Sequence, residues 1–443
     1  MRPHQAYSRF KGAFLVLGIV SLCTLILKAF SPSPSGSSAL SASIRQGVSL
    51  LEYLQAIKGS GLSKEDVVWD LNKFNQIPPF GINSSCTPPP LRLFRTDADC
   101  TNPPEFNGTF VGLRATPAVV VDVTVFSFEL DTLEIRLNEL DDVVDLFFIA
   151  EQTVSHLGGS AKPLVFTANR NRFAKFAHKI VHIVVDDVES SIALSEVRGG
   201  DEWALEFQMR SPLLAQRVAR YHFEKPGGVF RSADDVILRG DLDEVPSRDS
   251  LNAFKYCRPR LMPADFAISM PMGKLGSFFA SDWPMPGYPY SFTAPSVSRV
   301  GDIFNISDPE SVQKAAKLAL RYRNGAYVMG GMHLTSYQHI PFSLLKDASI
   351  VEGRKQSITE LIDPMLRNGR EAAYVLQRAE NEHMPAWKAR LKEGHEIEKV
   401  YHERIHKVPW FLQCNLQAFP SWQGLIDKRI YLQIPCGLLS ICR

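Results

Sequence analysis

Residues 118–152 read AVVVDVTVFSFELDTLEIRLNELDDVVDLFFIAEQ, and the pattern changes twice within them. Residues 118–128 have the β-branched and aromatic density of a buried strand. Leu130, Leu133, Leu137 and Leu140 then recur at helical spacing. VVDLFFIAE, residues 143–151, is a second apolar strand, and it ends in a carboxylate. Downstream, KIVHIVVDD (179–187) predicts a third strand ending in two acids, and residues 201–221 a long helix with Pro212 as a break. DVILRGDLDEVP (235–246) predicts a fourth strand, followed by a short helix over 247–256. This alternation predicts an α/β domain with a mostly parallel sheet. In such sheets the ligand site lies past the carboxyl ends of the strands, where the acids have accumulated here.

Away from this block the chain reads less regularly. Residues 44–74 predict one or two short helices, FAISMPM and GSFFASDW strands beside an acceptor site, and DPESVQKAAKLALRYR a helix. AYVMGGMHLTSY predicts a strand running into a Gly turn, and residues 355–400 a mostly helical, charged stretch. At the N-terminus, residues 12–27 (GAFLVLGIVSLCTLIL) carry no charge, with Arg2, Arg9 and Lys11 before them and Lys28 after. Sixteen helical residues reach about 24 Å, and extension to Phe30 with snorkelling lysines predicts a membrane span. A cleaved signal peptide is the competing reading, because small residues follow at 31–43. The expected organisation is a cytosolic tail (1–11), a transmembrane signal-anchor (12–30), a stem with a Pro-rich segment (31–117), a catalytic head (118–422) and a divergent tail (423–443).

That topology predicts a single-pass type II protein of the Golgi or ER membrane with its head in the lumen. Three Asn-x-Ser/Thr triplets, at Asn83, Asn107 and Asn305, fit that compartment. Luminal cysteines can pair, and Cys86 with Cys100 would close a short loop, although sequence alone does not fix the pairing. The net charge of +2, without a basic run, argues against nucleic acid as a partner.

The chemistry concentrates at Asp241-Leu242-Asp243-Glu244. Carboxylates two apart on a regular strand share a face of a packed sheet; where the strand gives way to a turn, both can converge on one cation. Hard oxygen ligands suit Mn²⁺ or Mg²⁺, which would neutralise a departing diphosphate as a Lewis acid. A phosphohydrolase loop presents the same triplet, so the pattern alone leaves both chemistries open.

Several blocks, in order over residues 118–422, resemble glycosyltransferase family 17. They are VFSFELDTLEIRLNELDDVVDLFFIAEQ (125–152), Gly158 with Lys162-Pro163-Leu164, Trp203 with Glu206 and Arg210, DLDEVP (241–246), residues 251–257, and VPWFLQCNLQAFPSW (408–422), the last similar to fungal members. The resemblance implies a GT-A-type fold, UDP-N-acetylglucosamine as donor, a divalent metal and inversion to a β-linkage. In characterised relatives the acceptor is the core β-mannose of an N-glycan. It also implies Asp241 and Asp243 as metal ligands, with Glu244 beside them. Where the family reads Gly-Trp-His-Cys, this chain has Gly331-Met332-His333-Leu334; His333 is retained as a candidate third ligand or phosphate contact, and the two changes put acceptor contacts in question.

The candidate catalytic residues are therefore Asp243, Glu244 and Asp282, with Asp302 and Asp308 as further candidates for the base that deprotonates the acceptor hydroxyl. Glu129, Glu151 and Arg210 are the candidate substrate-binding residues, although Glu129 suits a helix start and Arg136 and Arg210 suit bracing of acids. The metal candidates are Asp241, Asp243 and His333. The expected function is metal-dependent transfer of N-acetylglucosamine to a glycan or glycoprotein. The alternatives are a transferase with another donor or acceptor and a catalytically silent membrane protein that binds glycans.

Overall fold

The computed structural model describes residues 47–48, 50–58, 60–75, 82–155, 161–186, 204, 212–272, 274–318, 324–334, 391–419 and 434–435. Residues 47–48 pair antiparallel with 434–435 in a unit of their own, and residues 49–432 form the other unit.

Eight strands form its main sheet: β1 (Val120–Phe126), β2 (Leu146–Gln152), β3 (Ile180–Val185), β4 (Val236–Asp241), β5 (Glu244–Pro246), β6 (Ala264–Ser269), β7 (Ser291–Arg299) and β8 (Tyr327–His333). Their order in space is β3-β2-β1-β4-β7-β6-β8-β5. β2 is buried at every position and β1 at all but Val125, so β2 reads as an apolar run up to Glu151, while β1 interrupts its valines with the buried Asp122 and Thr124. One face of this half packs Val121, Val123, Phe148 and Ala150 against helix α2 (Pro212–Glu224). The other carries Asp122, whose carboxylate receives Arg136 from helix α1 (Leu130–Leu140). Pro212 is the first residue of α2, a position where its missing N–H costs nothing; residues 201–203 and 205–211 of the longer helix expected there lie outside the described residues.

The expectation of a mostly parallel GT-A-type sheet is overturned. The sheet is mixed: β3-β2, β2-β1, β1-β4 and β6-β8 pair parallel, whereas β4-β7, β7-β6 and β8-β5 pair antiparallel. The cause lies in the connections. Strand–helix alternation stops at helix α3 (Arg248–Tyr256), and beyond it antiparallel strands are joined without helical crossovers. Among the described residues no helix is long and apolar enough to cross a membrane; residues 12–30, where the anchor was expected, lie outside them. The helix expected from Asp308 shrinks to a 3-10 turn, Pro309–Lys314, because Ala315 leaves helical space (φ −54°, ψ 130°).

Two features of this topology position the site. Because β7 is antiparallel to both neighbours, β6 and β8 again point the way of β1–β4, so six carboxyl ends share one edge. Only Leu242 and Asp243 separate β4 from β5, which are fourth and eighth in the sheet, so the second half curls back over the end of β4. Gly331 permits the close approach: at φ +142° its missing Cβ would lie 2.5 Å from the Val245 carbonyl oxygen.

Residues 44–74 hold two helices, Leu50–Ile57 and Lys64–Asn75. The Pro-rich segment beyond them is strapped to the sheet domain. Cys86 pairs with Cys414 and Cys100 with Cys257, not with each other. Arg92 N–H donates to Asp249 Oδ1, and Asn252 Nδ2 donates back to the Arg92 carbonyl.

Candidate functional site

At the end of β4 the backbone, not only the side chains, is held. Arg136 is fully buried; its Nε and Nη2 donate to the two oxygens of Asp122 at 2.8 Å each. Its remaining Nη1 donates to the carbonyls of Asp241 (3.2 Å), Leu242 (3.3 Å) and Glu244 (2.7 Å). A guanidinium is suited to this because its donors lie in a rigid fork. Glu244, also fully buried, accepts the Asp241 N–H at 2.8 Å, which ties the turn from its other side. The carboxylate predicted to be catalytic at 244 therefore holds the Asp241–Asp243 turn.

The antiparallel pair β5–β8 sets His333 opposite Glu244 and beside Asp243. His333 Nε2 is 3.4 Å from Asp243 Oδ1, its ring stacks on Phe292 (centroids 4.5 Å apart, planes at 9°), and the Leu334 N–H donates to the Asp243 carbonyl. His333 Nδ1 is buried, with no hydrogen-bond partner among the described residues. Asp241 keeps about a third of its side chain exposed (32 %), with Arg239 Nη1 3.8 Å from its Oδ1. Thus Asp243 and His333 meet, and Asp241 lies two residues away across the turn.

Among the described residues no group of three or more His, Cys, Asp or Glu side chains is arranged as a protein-only metal cage. A small hard cation does not need one: it is commonly held by one or two carboxylates, with water and phosphate oxygens completing the shell. Asp241 and Asp243 are the residues here that match such a donor set, and His333 bears directly on Asp243.

The other predicted residues fall elsewhere. Glu151 is sealed inside: its Oε1 accepts the N–H groups of Val165 (2.6 Å) and Phe166 (3.3 Å) and lies 3.3 Å from Lys162 Nζ, while its Oε2 is 3.1 Å from His182 Nε2. Burial holds the Lys162 ammonium below its ordinary pKa despite Glu151 beside it. Glu129 precedes α1 and accepts the N–H groups of Ser127 (3.0 Å) and Phe128 (2.9 Å), shaping the turn out of β1. Asp302 and Asp308 follow β7 towards the opposite edge of the sheet, where Val300 N–H bonds the Asp235 carbonyl; Asp308 caps the 3-10 turn. Asp282 is exposed in a loop leading into β7. Arg210, Trp203, Glu206 and Gly158 lie outside the described residues.

The two departures at 332 and 334 acquire a different meaning. Met332 and Leu334 alternate with His333 and face the core, where they pack with Val245, Ile135, Phe411 and Leu412. Both are core-packing positions in this chain. The segment at 408–419 supplies part of that same core, and Trp410 N–H donates to Glu139 Oε2 at 2.7 Å. Sequence reading missed the threefold staple from Arg136 and the stacking of Phe292 on His333, since neither rests on a local pattern.

Residues 109–268 match the family model described as Glycosyltransferase family 17. The chain is 29 % identical over 178 residues to the proteins named Beta-1,4-mannosyl-glycoprotein 4-beta-N-acetylglucosaminyltransferase of Rattus norvegicus and Homo sapiens, and 28 % identical to that of Mus musculus. Each match takes in 39 % of this chain and spans 29 % of the relative's length. The family match contains β1, β2, β4, the Asp241–Asp243 turn and most of β6; it ends before Asp282, Phe292 and His333.

Proposed function

Since the chain belongs to glycosyltransferase family 17, we propose that it is a glycosyltransferase that moves N-acetylglucosamine from UDP-N-acetylglucosamine to a mannose-bearing glycan of a glycoprotein, at the edge where Asp241, Asp243 and His333 gather. The observation that carries this reading is the turn itself: two carboxylates at the carboxyl end of a strand, on a backbone stapled by one buried arginine. Preorganisation of this kind means that the charged groups need not be repositioned as the diphosphate leaves.

Asp241 and Asp243 would hold Mn²⁺ or Mg²⁺ against the donor diphosphate, and that ion would supply Lewis-acid stabilisation of the leaving group. His333 orients Asp243, and the stacked Phe292 keeps the imidazole plane fixed. Asp282 is our candidate for the base that takes the proton of the acceptor hydroxyl, since its loop runs beside the start of β7 and Phe292. Inversion in a single displacement needs one such group on the acceptor side.

We further propose that the reaction belongs to the secretory lumen. Two disulfides suit an oxidising compartment, and Asn83, Asn107 and Asn305 are all exposed, as glycan acceptors must be.

The test uses the full chain with UDP-N-acetylglucosamine, Mn²⁺ and a pool of N-glycans, following UDP release and glycan mass. A gain of one N-acetylhexosamine that disappears on chelation supports the proposal. Folded protein that turns over no donor under any of these conditions contradicts it.

A further inference from the structure

The loop between the Lys274–Phe279 strand and β7 reads Ser281-Asp-Trp-Pro-Met-Pro-Gly-Tyr-Pro-Tyr290, and it is built to hold one aromatic ring in solvent. Where β4 stops, the edge of β7 changes partner. Ser296 and its successors pair with β4, but the Thr293 N–H donates to the Trp283 carbonyl at 2.8 Å and the Ser291 N–H to the Tyr288 carbonyl at 3.0 Å. The loop therefore takes over the edge of β7 next to the Asp241–Asp243 turn. Phe292, which lies between those two bonded residues, stacks on His333.

Several bonds make the loop rigid. Ser281 Oγ donates to the Ser291 carbonyl (2.7 Å) and accepts the Trp283 N–H (3.1 Å), while Ser291 Oγ accepts the Met285 N–H (2.8 Å). Pro284, Pro286 and Pro289 fix φ along it. Met285 is driven into a core cluster with Phe278, Tyr327 and Tyr401, yet Trp283, two residues earlier and larger, stays 42 % exposed. A loop that needed only an anchor would bury its largest apolar side chain. This one buries the methionine and leaves the indole part-exposed, on a backbone bonded to Thr293 next to the Phe292 that stacks on His333.

We propose that Trp283 is the acceptor platform of this enzyme, a flat ring on which the apolar face of a neutral pyranose of the acceptor stacks. Pyranose C–H groups carry partial positive charge and meet the negative face of the indole, while the hydroxyls stay at the rim in water. The ring thereby sets the acceptor hydroxyl over the turn and near Asp282. This rests on the transferase reading above and names its acceptor-side contact.

The experiment separates the two. Binding of a mannose-containing N-glycan core oligosaccharide to the full chain, without donor, is measured for wild type, Trp283→Ala and Trp283→Phe, together with kinetics for acceptor and donor. The result we expect is glycan affinity about tenfold weaker in the alanine variant and within about threefold of wild type in the phenylalanine variant. The acceptor KM should rise in parallel, while the donor KM and acceptor-free UDP release stay unchanged. Unaltered glycan affinity in Trp283→Ala, or no glycan binding by wild type, overturns the proposal. A rise in donor KM instead would assign the ring to the nucleotide and also overturn it. Glycan binding through Trp283 without any transfer would leave the platform standing and refute the transferase reading.

Discussion

Two strand ends on the same edge of one sheet carry carboxylates and use them in opposite ways. At the end of β2, Glu151 is fully buried and is met by two backbone N–H groups, Lys162 and His182. At the end of β4, the buried cation Arg136 binds the carbonyls of the turn, the Asp241 side chain stays about a third exposed beside Arg239, and the buried Asp243 side chain faces His333. Position at a carboxyl edge therefore does not by itself decide what surrounds a carboxylate. What matters is whether the neighbours consume the carboxylate or fix the backbone beneath it.

The largest effect should come from removing the staple. Arg136→Met leaves Asp122 buried without its partner, and we expect a loss of about 3–5 kcal/mol in urea unfolding. The double variant Asp122→Leu/Arg136→Met should recover part of that stability but none of the activity, because the turn's carbonyls stay unheld. Recovery of both would mean that Arg136 acts on the sheet alone. Next comes Cys100→Ser, which opens a cross-link spanning 157 residues and should cost about 3 kcal/mol while leaving the rate per folded molecule unchanged.

Glu151→Gln sharpens the comparison from the other end. It keeps an acceptor for the Val165 N–H but loses the charge facing Lys162, so thermal stability should fall by about 1–3 kcal/mol. The rate per folded molecule should hold. A selective loss of rate with stability intact would make Glu151 a donor contact after all.

The smallest expected effect is on pH dependence. Burial pushes Glu139 up to about 8, against the backbone N–H groups of Trp410 and Arg248 that favour its ionised form. Its folded pKa is raised, so the stability it contributes is full below the unfolded value and is lost as pH climbs towards 8. Unfolding free energy should drop by about 1–2 kcal/mol between pH 6 and 8, and Glu139→Gln should flatten that slope. His406, pushed down to about 4 by burial with His402 and Lys407 nearby, acts in the opposite sense: its contribution holds above pH 6.5 and fades as pH falls towards 4.

The strands β1 to β4 and helices α1 and α3 were legible in sequence because each carries a long apolar run or a helical repeat bounded by turn residues. The strand direction beyond Tyr256 was not, because an antiparallel return and a parallel crossover leave similar apolar runs. At the candidate site, Asp241, Asp243 and His333 are proposed on residue type, whereas the buried partners of Glu151 and Glu244 were not legible. Whether a carboxylate is spent depends on Val165, Lys162 and His182 for one and on the Asp241 N–H for the other, and those partners meet only in the folded chain. The same holds for Met332 and Leu334, whose side chains the strand alternation turns into the core.

The most direct measurement is Mn²⁺-dependent transfer from UDP-N-acetylglucosamine to an N-glycan by Asp243→Asn and Glu151→Gln, each expressed per folded molecule. We predict that Asp243→Asn, with an unchanged melting temperature, loses about 10²–10³-fold in kcat, the scale of losing one preorganised charged contact, while Glu151→Gln transfers at the wild-type rate. Transfer retained by Asp243→Asn and lost by Glu151→Gln would contradict the assignment of chemistry to the end of β4.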